Sequence, residues 1–393
     1  MDFQFFQELL SIDSTSGKER KVAEWLAERL PGMFPAANRP ELRAEEVGDG
    51  TLNLLLTWGS PRIVFCSHLD TVPPYIEPIF PEGVAITSKD SFASLGMTDC
   101  PCHSEEVKDR RKNLMDVIAG RGSCDAKGQV FAIVEACKRL AEEGKTDFGM
   151  LLLAGEETGS WGAKAFAKTD FRAEYLVVGE PTDNCMVSAS KGTKSFDLKF
   201  TGEPFHSGYP QYGVSAVDLF VDFVNALKAK DFGTDPLLGE TTWNIGLVHS
   251  DNPQNILSPE LTCRLYFRTT FVSDEAVSAW MESQGRPEAE TVPKASLRDP
   301  VRANAPGTAS PSGHITVTPR GGDTPARYWT VEGLPAKSVA FGSDAPHLKN
   351  FTHKAICGPG SITVAHRDDE HVRIADLTTA VEQYLALYRA VTK

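Results

Sequence analysis

Residues 63–73 read Ile-Val-Phe-Cys-Ser-His-Leu-Asp-Thr-Val-Pro, an apolar run that ends in His68-x-Asp70. Such a run predicts a buried strand that delivers polar groups at its end. Residues two apart on a strand share a face, so His68 and Asp70 project together. In open α/β sheets the C-terminal ends of the strands are where ligands bind. A neutral imidazole is a frequent zinc ligand. A carboxylate beside it can hold the second ring nitrogen and fix the tautomer. Alone, His-x-Asp would be an ordinary capped strand end. The design recurs, however: Gly149–Leu153 runs into Gly155-Glu156-Glu157, and Tyr175–Val178 into Gly179-Glu180-Pro181.

A chain of 393 residues exceeds one ordinary core, so two domains are expected. Apolar residues make up 41% and charged residues 24%, as in globular proteins. The net charge of −13 argues against a nucleic-acid or anionic-membrane partner. Met1–Leu10 reads as an amphipathic helix rather than a signal peptide. No apolar run is long enough to span a membrane. Eight cysteines are scattered, with Cys66, Cys137 and Cys263 inside apolar segments, which fits reduced thiols and a cytoplasmic location.

Ser16 and Glu19 have capping-box spacing ahead of a helix over Val22–Leu30. Strands are expected at 52–56 and 62–66. Residues 88–118 are polar and irregular and read as a surface insertion. Their Cys100-Pro101-Cys102-His103 lacks the second ligand pair of a structural zinc site. A glycine-bearing loop, 120–129, opens a long helix. Strands alternating with helices indicate a mainly parallel sheet covered on both faces. The character changes near Ala189. Strands at 194–201, 241–248, 261–269 and 315–318, with helices at 214–227 and 274–282, give the β-α-β-β-α-β order of a ferredoxin-like α+β domain. The Pro- and Ala-rich stretch 286–312 is expected to loop out. Buried strand character resumes at 336–341, and a helix covers 374–391. The expectation is an α/β catalytic domain (1–188 and 321–393) interrupted by an inserted domain (189–320).

His68, Asp125, Glu156, Glu157, Glu180 and His366 thus fall at strand ends or strand-to-helix loops of one sheet. Converging carboxylates repel unless a cation neutralises them. Two imidazoles with several carboxylates suit zinc or a similar divalent ion. Adjacent Glu156 and Glu157 belong on a turn, where one can ligate metal while the other takes a proton from water.

The segments Ser-His-Leu-Asp-Thr-Val-Pro (67–73), Gly-Arg-Gly-Ser-Cys-Asp-Ala-Lys-Gly (120–128), Gly-Glu-Glu-Thr-Gly (155–159), Gly-Glu-Pro-Thr (179–182) and Ala-His (365–366) span almost the whole chain. Together they resemble the aminoacylase, acetylornithine deacetylase, succinyl-diaminopimelate desuccinylase and carboxypeptidase G-type family of co-catalytic zinc hydrolases. The resemblance implies two Zn2+ per chain, with Co2+ or Mn2+ as possible substitutes. His68 and Glu180 would hold one, Glu157 and His366 the other, with Asp125 bridging. Glu156 would be the general base and Asp70 would orient His68. The inserted domain would serve as lid and dimerisation domain. His206, in Phe205-His206-Ser207-Gly208, would reach the partner's active site in a homodimer. Asn255, Arg264 or Arg268, Ser343 and Asp344 would face the substrate. The insertion between Asp70 and Asp125 departs from the family pattern. So does Ser258, which extends the usual spacing after Asn255. Glu at the position of Glu180 is associated more with deacylases than with peptidases. The expected activity is therefore removal of the acyl group from an N-acyl amino acid, acetylornithine deacetylase-like or succinyl-diaminopimelate desuccinylase-like. The alternatives are a metallo-carboxypeptidase or dipeptidase acting on a short peptide and, more remotely, a non-catalytic binding homologue.

Overall fold

The computed structural model describes residues 1–48, 50–81, 116–285 and 312–392. The expected insertion at 88–118, with Cys100, Cys102 and His103, lies outside them apart from its last three residues. Of these, Val117 and Ile118 belong to the strand Val117–Ala119, which pairs with His371–Arg373. The stretch 286–311 also lies outside. The chain divides into two compact units. One comprises Met1–Ser188, Tyr328–Lys337 and Ser343–Lys393; the other comprises Ala189–Arg327 and Ser338–Gly342.

The first unit is built on a six-stranded sheet. Its strands are β1 (Glu41–Val47), β2 (Thr51–Gly59), β3 (Ile63–His68), β4 (Asp147–Leu153), β5 (Ala173–Val178) and β6 (Phe351–Ile356). They lie in the order β1-β2-β4-β3-β5-β6. β2 runs antiparallel to both neighbours, and all other pairs are parallel. Every residue of β3 is buried, as a strand covered on both faces requires. Two strands differ from expectation. β1 (Glu-Leu-Arg-Ala-Glu-Glu-Val) and β6 (Phe-Thr-His-Lys-Ala-Ile) are edge strands whose charged or polar residues mask their character. Ala336–Val339, expected to resume the sheet, is a half-exposed strand of a separate three-stranded sheet.

Among the described residues five α-helices accompany this sheet: α1 (Phe3–Leu10), α2 (Arg20–Arg29), α3 (Lys127–Glu142), α4 (Trp161–Phe166) and α5 (Ile374–Val391). Apolar residues of α1, α2, α3 and α5 share one core cluster with β2, β3 and β4. Phe6 of α1 stacks on Phe131 of α3, with ring centroids 4.6 Å apart and planes inclined at 12°. The capping box does not form. Glu19 accepts from the Gly17 N–H at 2.8 Å, and the Ser16 hydroxyl donates to the buried Asp70 carboxylate at 3.1 Å. A buried anion is the stronger claimant for that hydroxyl.

The second unit has a four-stranded antiparallel sheet. Its order is Thr242–His249, Glu260–Thr269, Gly192–Thr201, His314–Gly321. With helices Ala216–Ala229 and Asp274–Gln284, the chain order is β-α-β-β-α-β. Phe196, Leu198, Phe200, Leu265 and Phe267 of the strands pack on Phe223, Leu227, Val277 and Met281 of the helices. Among the described residues no helix is long and apolar enough to cross a membrane.

Phe131 meets Phe3, Phe5 and Phe6 of α1 and so ties that helix to α3. Phe131→Ala is expected to lower unfolding free energy by about 3–5 kcal/mol, the usual cost of a large aromatic-to-alanine cavity. Urea denaturation followed by tryptophan fluorescence measures it; an unchanged midpoint would contradict this packing.

Candidate metal centre

β4, β3 and β5 are neighbours and run in the same direction, so their C-terminal ends lie side by side. β3 ends on His68 itself, opposite Leu153 of β4. β4 continues through Ala154 into the Gly155-Glu156-Glu157 turn. β5 leads into Gly179-Glu180. Asp125 comes from the loop just before α3, and its peptide bond to Ala126 is cis. His366 comes from the loop before α5 and holds a left-handed backbone conformation, φ 62°.

Among the described residues, three groups of side chains offer ligand atoms within 4.8 Å of one another: His68, Asp125 and Glu180; His68, Glu156 and Glu157; Asp125, Glu157 and His366. Asp125 is common to the first and third. One of its oxygens lies 3.1 Å from His68 Nε2, and the other 3.3 Å from His366 Nε2. His366 Nε2 is also 2.9 Å from Glu157 Oε1. A buried carboxylate oxygen of Glu180 has no hydrogen-bond partner. These donors fit a pair of divalent cations that share Asp125: neutral imidazoles and carboxylates, clustered, with one oxygen unsatisfied.

Asp70 organises this cluster twice over. Its backbone carbonyl lies 2.9 Å from His68 Nδ1. That contact places a proton on Nδ1 and turns Nε2 toward Asp125. Its carboxylate is 3.4 Å from the same nitrogen. The two carboxylate oxygens accept the Glu156 N–H at 2.9 Å and the Glu157 N–H at 3.0 Å. The turn carrying both glutamates is thereby pinned to the end of β3. Gly155 makes the turn possible. Its φ is +69°, and a Cβ there would lie 1.8 Å from the Trp161 indole nitrogen.

Burial pushes the Glu156 and Glu180 carboxyls well above the ordinary range, and neighbouring acids add to it. Burial opposes the charged His68 ring, yet its hydrogen bonds to Asp125 and Asp70 hold its pKa well above normal. Bonds to Asp125 and Glu157 raise His366 to about 10. Positive charge is what this pocket favours.

The substrate-side candidates fall into both units. Asp344, in the first, is 1% exposed and one of its oxygens lacks a partner. Burial raises it to about 6, against a Ser160 hydrogen bond that lowers it. Neighbouring Ser343 accepts the Ala345 N–H at 3.3 Å. In the second unit the Ser207 N–H donates to the carbonyl of Asn255 at 2.9 Å, so His206 and Asn255 lie on adjoining segments. His206 Nδ1 accepts the Gly208 N–H at 3.1 Å, so its Nε2 carries the proton of the neutral ring. The two arginines separate. Arg264 is engaged by Asp197 at 2.8 Å, which Arg320 also contacts. Arg268 stacks on Tyr266, 5.1 Å from its ring centroid, and has no carboxylate partner among the described residues.

Sequence reasoning missed Arg121, Glu370, Ser16 and Ser160. Glu370 stands in the run Arg367-Asp368-Asp369-Glu370, which reads as solvated surface; only its position four residues beyond His366 could have singled it out.

The model for peptidase family M20/M25/M40 matches residues 64–390. A protein of Aspergillus flavus named as a probable carboxypeptidase is 30% identical over 98% of this chain and 89% of its own length. A tripeptidase structure from Staphylococcus aureus has a TM-score of 0.69 at 18% identity, over 99% of this chain and 97% of that one. The aminopeptidase PepT structure from Bacillus cereus also gives 0.69, at 19% identity, over 100% and 98%. These two likenesses bear on the fold. The chain belongs to peptidase family M20/M25/M40, and it is a metal-dependent hydrolase of amide or peptide bonds.

Proposed function

We propose that the chain is a two-metal exopeptidase of carboxypeptidase type, acting on short peptides with a free C-terminal carboxylate. The observation that carries the reading is Asp125 set between His68 and His366, with Glu156 at the same cluster. In this reading His68, Asp125 and Glu180 hold one zinc, and Asp125, Glu157 and His366 the other. Bound cations would polarise the scissile carbonyl and make water acidic near neutral pH. Glu156 takes the proton from the attacking water and passes it to the amine nitrogen as the C–N bond breaks. The Asp70 hydrogen bonds hold its backbone for both transfers. Arg268 is free to pair with the substrate carboxylate, which Arg264 is not. The deacylase expectation rested on Glu180 being a glutamate. The name of the Aspergillus flavus relative instead favours a peptidase, so acyl-amino acids become the comparison substrates.

The reading extends to a homodimer through the inserted unit, in the cytoplasm. Val217 and Val221, one helical turn apart, are exposed, as are Leu247 and Val248 at the register break of the edge strand Thr242–His249, whose outer side has no partner strand among the described residues. Exposed apolar residues on a free sheet edge suit pairing with a second copy. His206 Nε2–H would then donate to the oxyanion developing in the partner's site.

Elemental analysis of the wild-type chain should find about two divalent ions. Glu156→Gln should keep both while turnover falls by about 10²–10⁴-fold, the usual loss for an acid–base group. Glu157→Gln should lose metal. The opposite pattern would exchange their roles, and activity surviving exhaustive chelation would end the metal reading.

A hydrolysis screen of N-acetyl, N-succinyl and N-formyl amino acids beside di- and tripeptides separates the activities. Peptides should win, and amidating the C-terminal carboxylate should abolish the preference. Faster turnover of an acyl-amino acid would restore the deacylase reading.

Subunit exchange between inactive His206→Ala and Glu156→Gln chains should restore up to about a quarter of wild-type activity, because half the dimers are mixed and each has one complete site. A monomeric active enzyme, or proven exchange without recovery, rules out the role in trans.

A further inference from the structure

Arg121 and Glu370 lie outside the proposed ligand set, each 1% exposed. The Arg121 Nη1 donates to Glu370 Oε2 at 2.5 Å and to the carbonyl of Arg367 at 3.2 Å. Its Nε donates to the carbonyl of Pro74 at 3.1 Å. The other oxygen of Glu370 accepts three backbone N–H groups of one loop: Gly122 at 2.9 Å, Cys124 at 3.1 Å and Asp125 at 3.0 Å. The Gly120 N–H donates to the Glu370 carbonyl at 3.0 Å.

Three N–H groups converging on one point form an anion-binding nest. Here the anion is the chain's own carboxylate, neutralised on its far side by a guanidinium that cannot be deprotonated. The loop held in the nest carries Asp125. The segment that supplies the anion, 366–370, carries His366. One buried pair therefore joins the two loops whose side chains meet at 3.3 Å.

We propose that the Arg121–Glu370 pair positions the metal centre. It sets the backbone of Asp125 so that each carboxylate oxygen faces a different imidazole, and it holds the His366 loop in register. The inference rests on the two-cation reading of the site. Both are positioning residues, with no contact of their own to a cation. Glu370→Asp keeps the charge but shortens the reach by one methylene. Glu370→Gln keeps the length but replaces one acceptor oxygen with a donor.

The test strips the full-length chain with a chelator and titrates it with Zn2+ against a competing indicator. Co2+ loading gives a visible spectrum that reports ligand geometry, and melting of the metal-free chains reports folding. Both Glu370 variants are expected to bind Zn2+ about 10–100-fold more weakly, the usual effect of losing a partner that orients ligands, and to shift the Co2+ spectrum. Leu54→Ala, in the core on β2, a strand that carries no candidate ligand, is the control, destabilised with unchanged affinity. Arg121→Met combined with Glu370→Gln removes the buried charge left unpaired in a single variant, which protects folding, and should show the same loss. A folded variant with wild-type Zn2+ affinity and Co2+ spectrum overturns the positioning role alone. A wild-type chain that takes up no ion overturns the metal reading, and this inference with it.

Discussion

Four carboxylates, those of Asp125, Glu156, Glu157 and Glu180, meet two imidazoles at the end of one mixed, mainly parallel sheet. Their mutual repulsion is the constraint that the surrounding structure serves. Left in a dry pocket, such a group would take up protons or spread apart. Three of these acids, Asp125, Glu156 and Glu157, are instead held through their backbone N–H groups. Asp70 holds the turn of Glu156 and Glu157, and Glu370 holds the loop of Asp125. Two buried carboxylates act as fixed struts, and the acids they position remain available to a cation.

The sheet explains why these groups can meet at all. Neighbouring strands lie about 4.8 Å apart. With β4, β3 and β5 parallel and adjacent, three strand ends open onto the same edge of the sheet. β2, reversed, ends on the opposite edge and contributes no candidate ligand. Asp125 and His366 enter from loops leading into α3 and α5, which pack in the same core cluster as β3. The burial that stabilises the first unit therefore also aims its chemistry.

The second unit follows a different logic. Its sheet is half-covered, so its strands alternate, and Arg264, Tyr266 and Arg268 lie on the less buried face of Glu260–Thr269. Identical residue types two turns of pleat apart acquire different roles through their neighbours. Asp197, across the ladder from Arg264, neutralises that arginine, while Arg268 has no carboxylate partner among the described residues.

Much of this was legible in the chain. Apolar runs ending in His68, Glu156-Glu157 and Glu180 announce buried strands with costly polar ends, and those patterns are local. The β-α-β-β-α-β order of the second unit is likewise local, because alternation and helical spacing report a face exposed to water. What the sequence could not reveal depends on long-range pairing. The edge strands Glu41–Val47 and Phe351–Ile356 carry too few apolar residues to announce themselves and are strands because a neighbour offers hydrogen bonds. The hydroxyl of Ser16, locally a helix cap, goes to a buried acid 54 residues away. Arg264 and Arg268 are indistinguishable until Asp197 is placed beside one of them. Glu370 reads as surface until the fold closes three N–H groups around it. The sequence by itself determined which residues must be buried and which strand ends must carry charge, since both follow from apolar patterning. Only the tertiary structure decided which charge meets which partner, because that depends on distances between segments that the linear order does not encode.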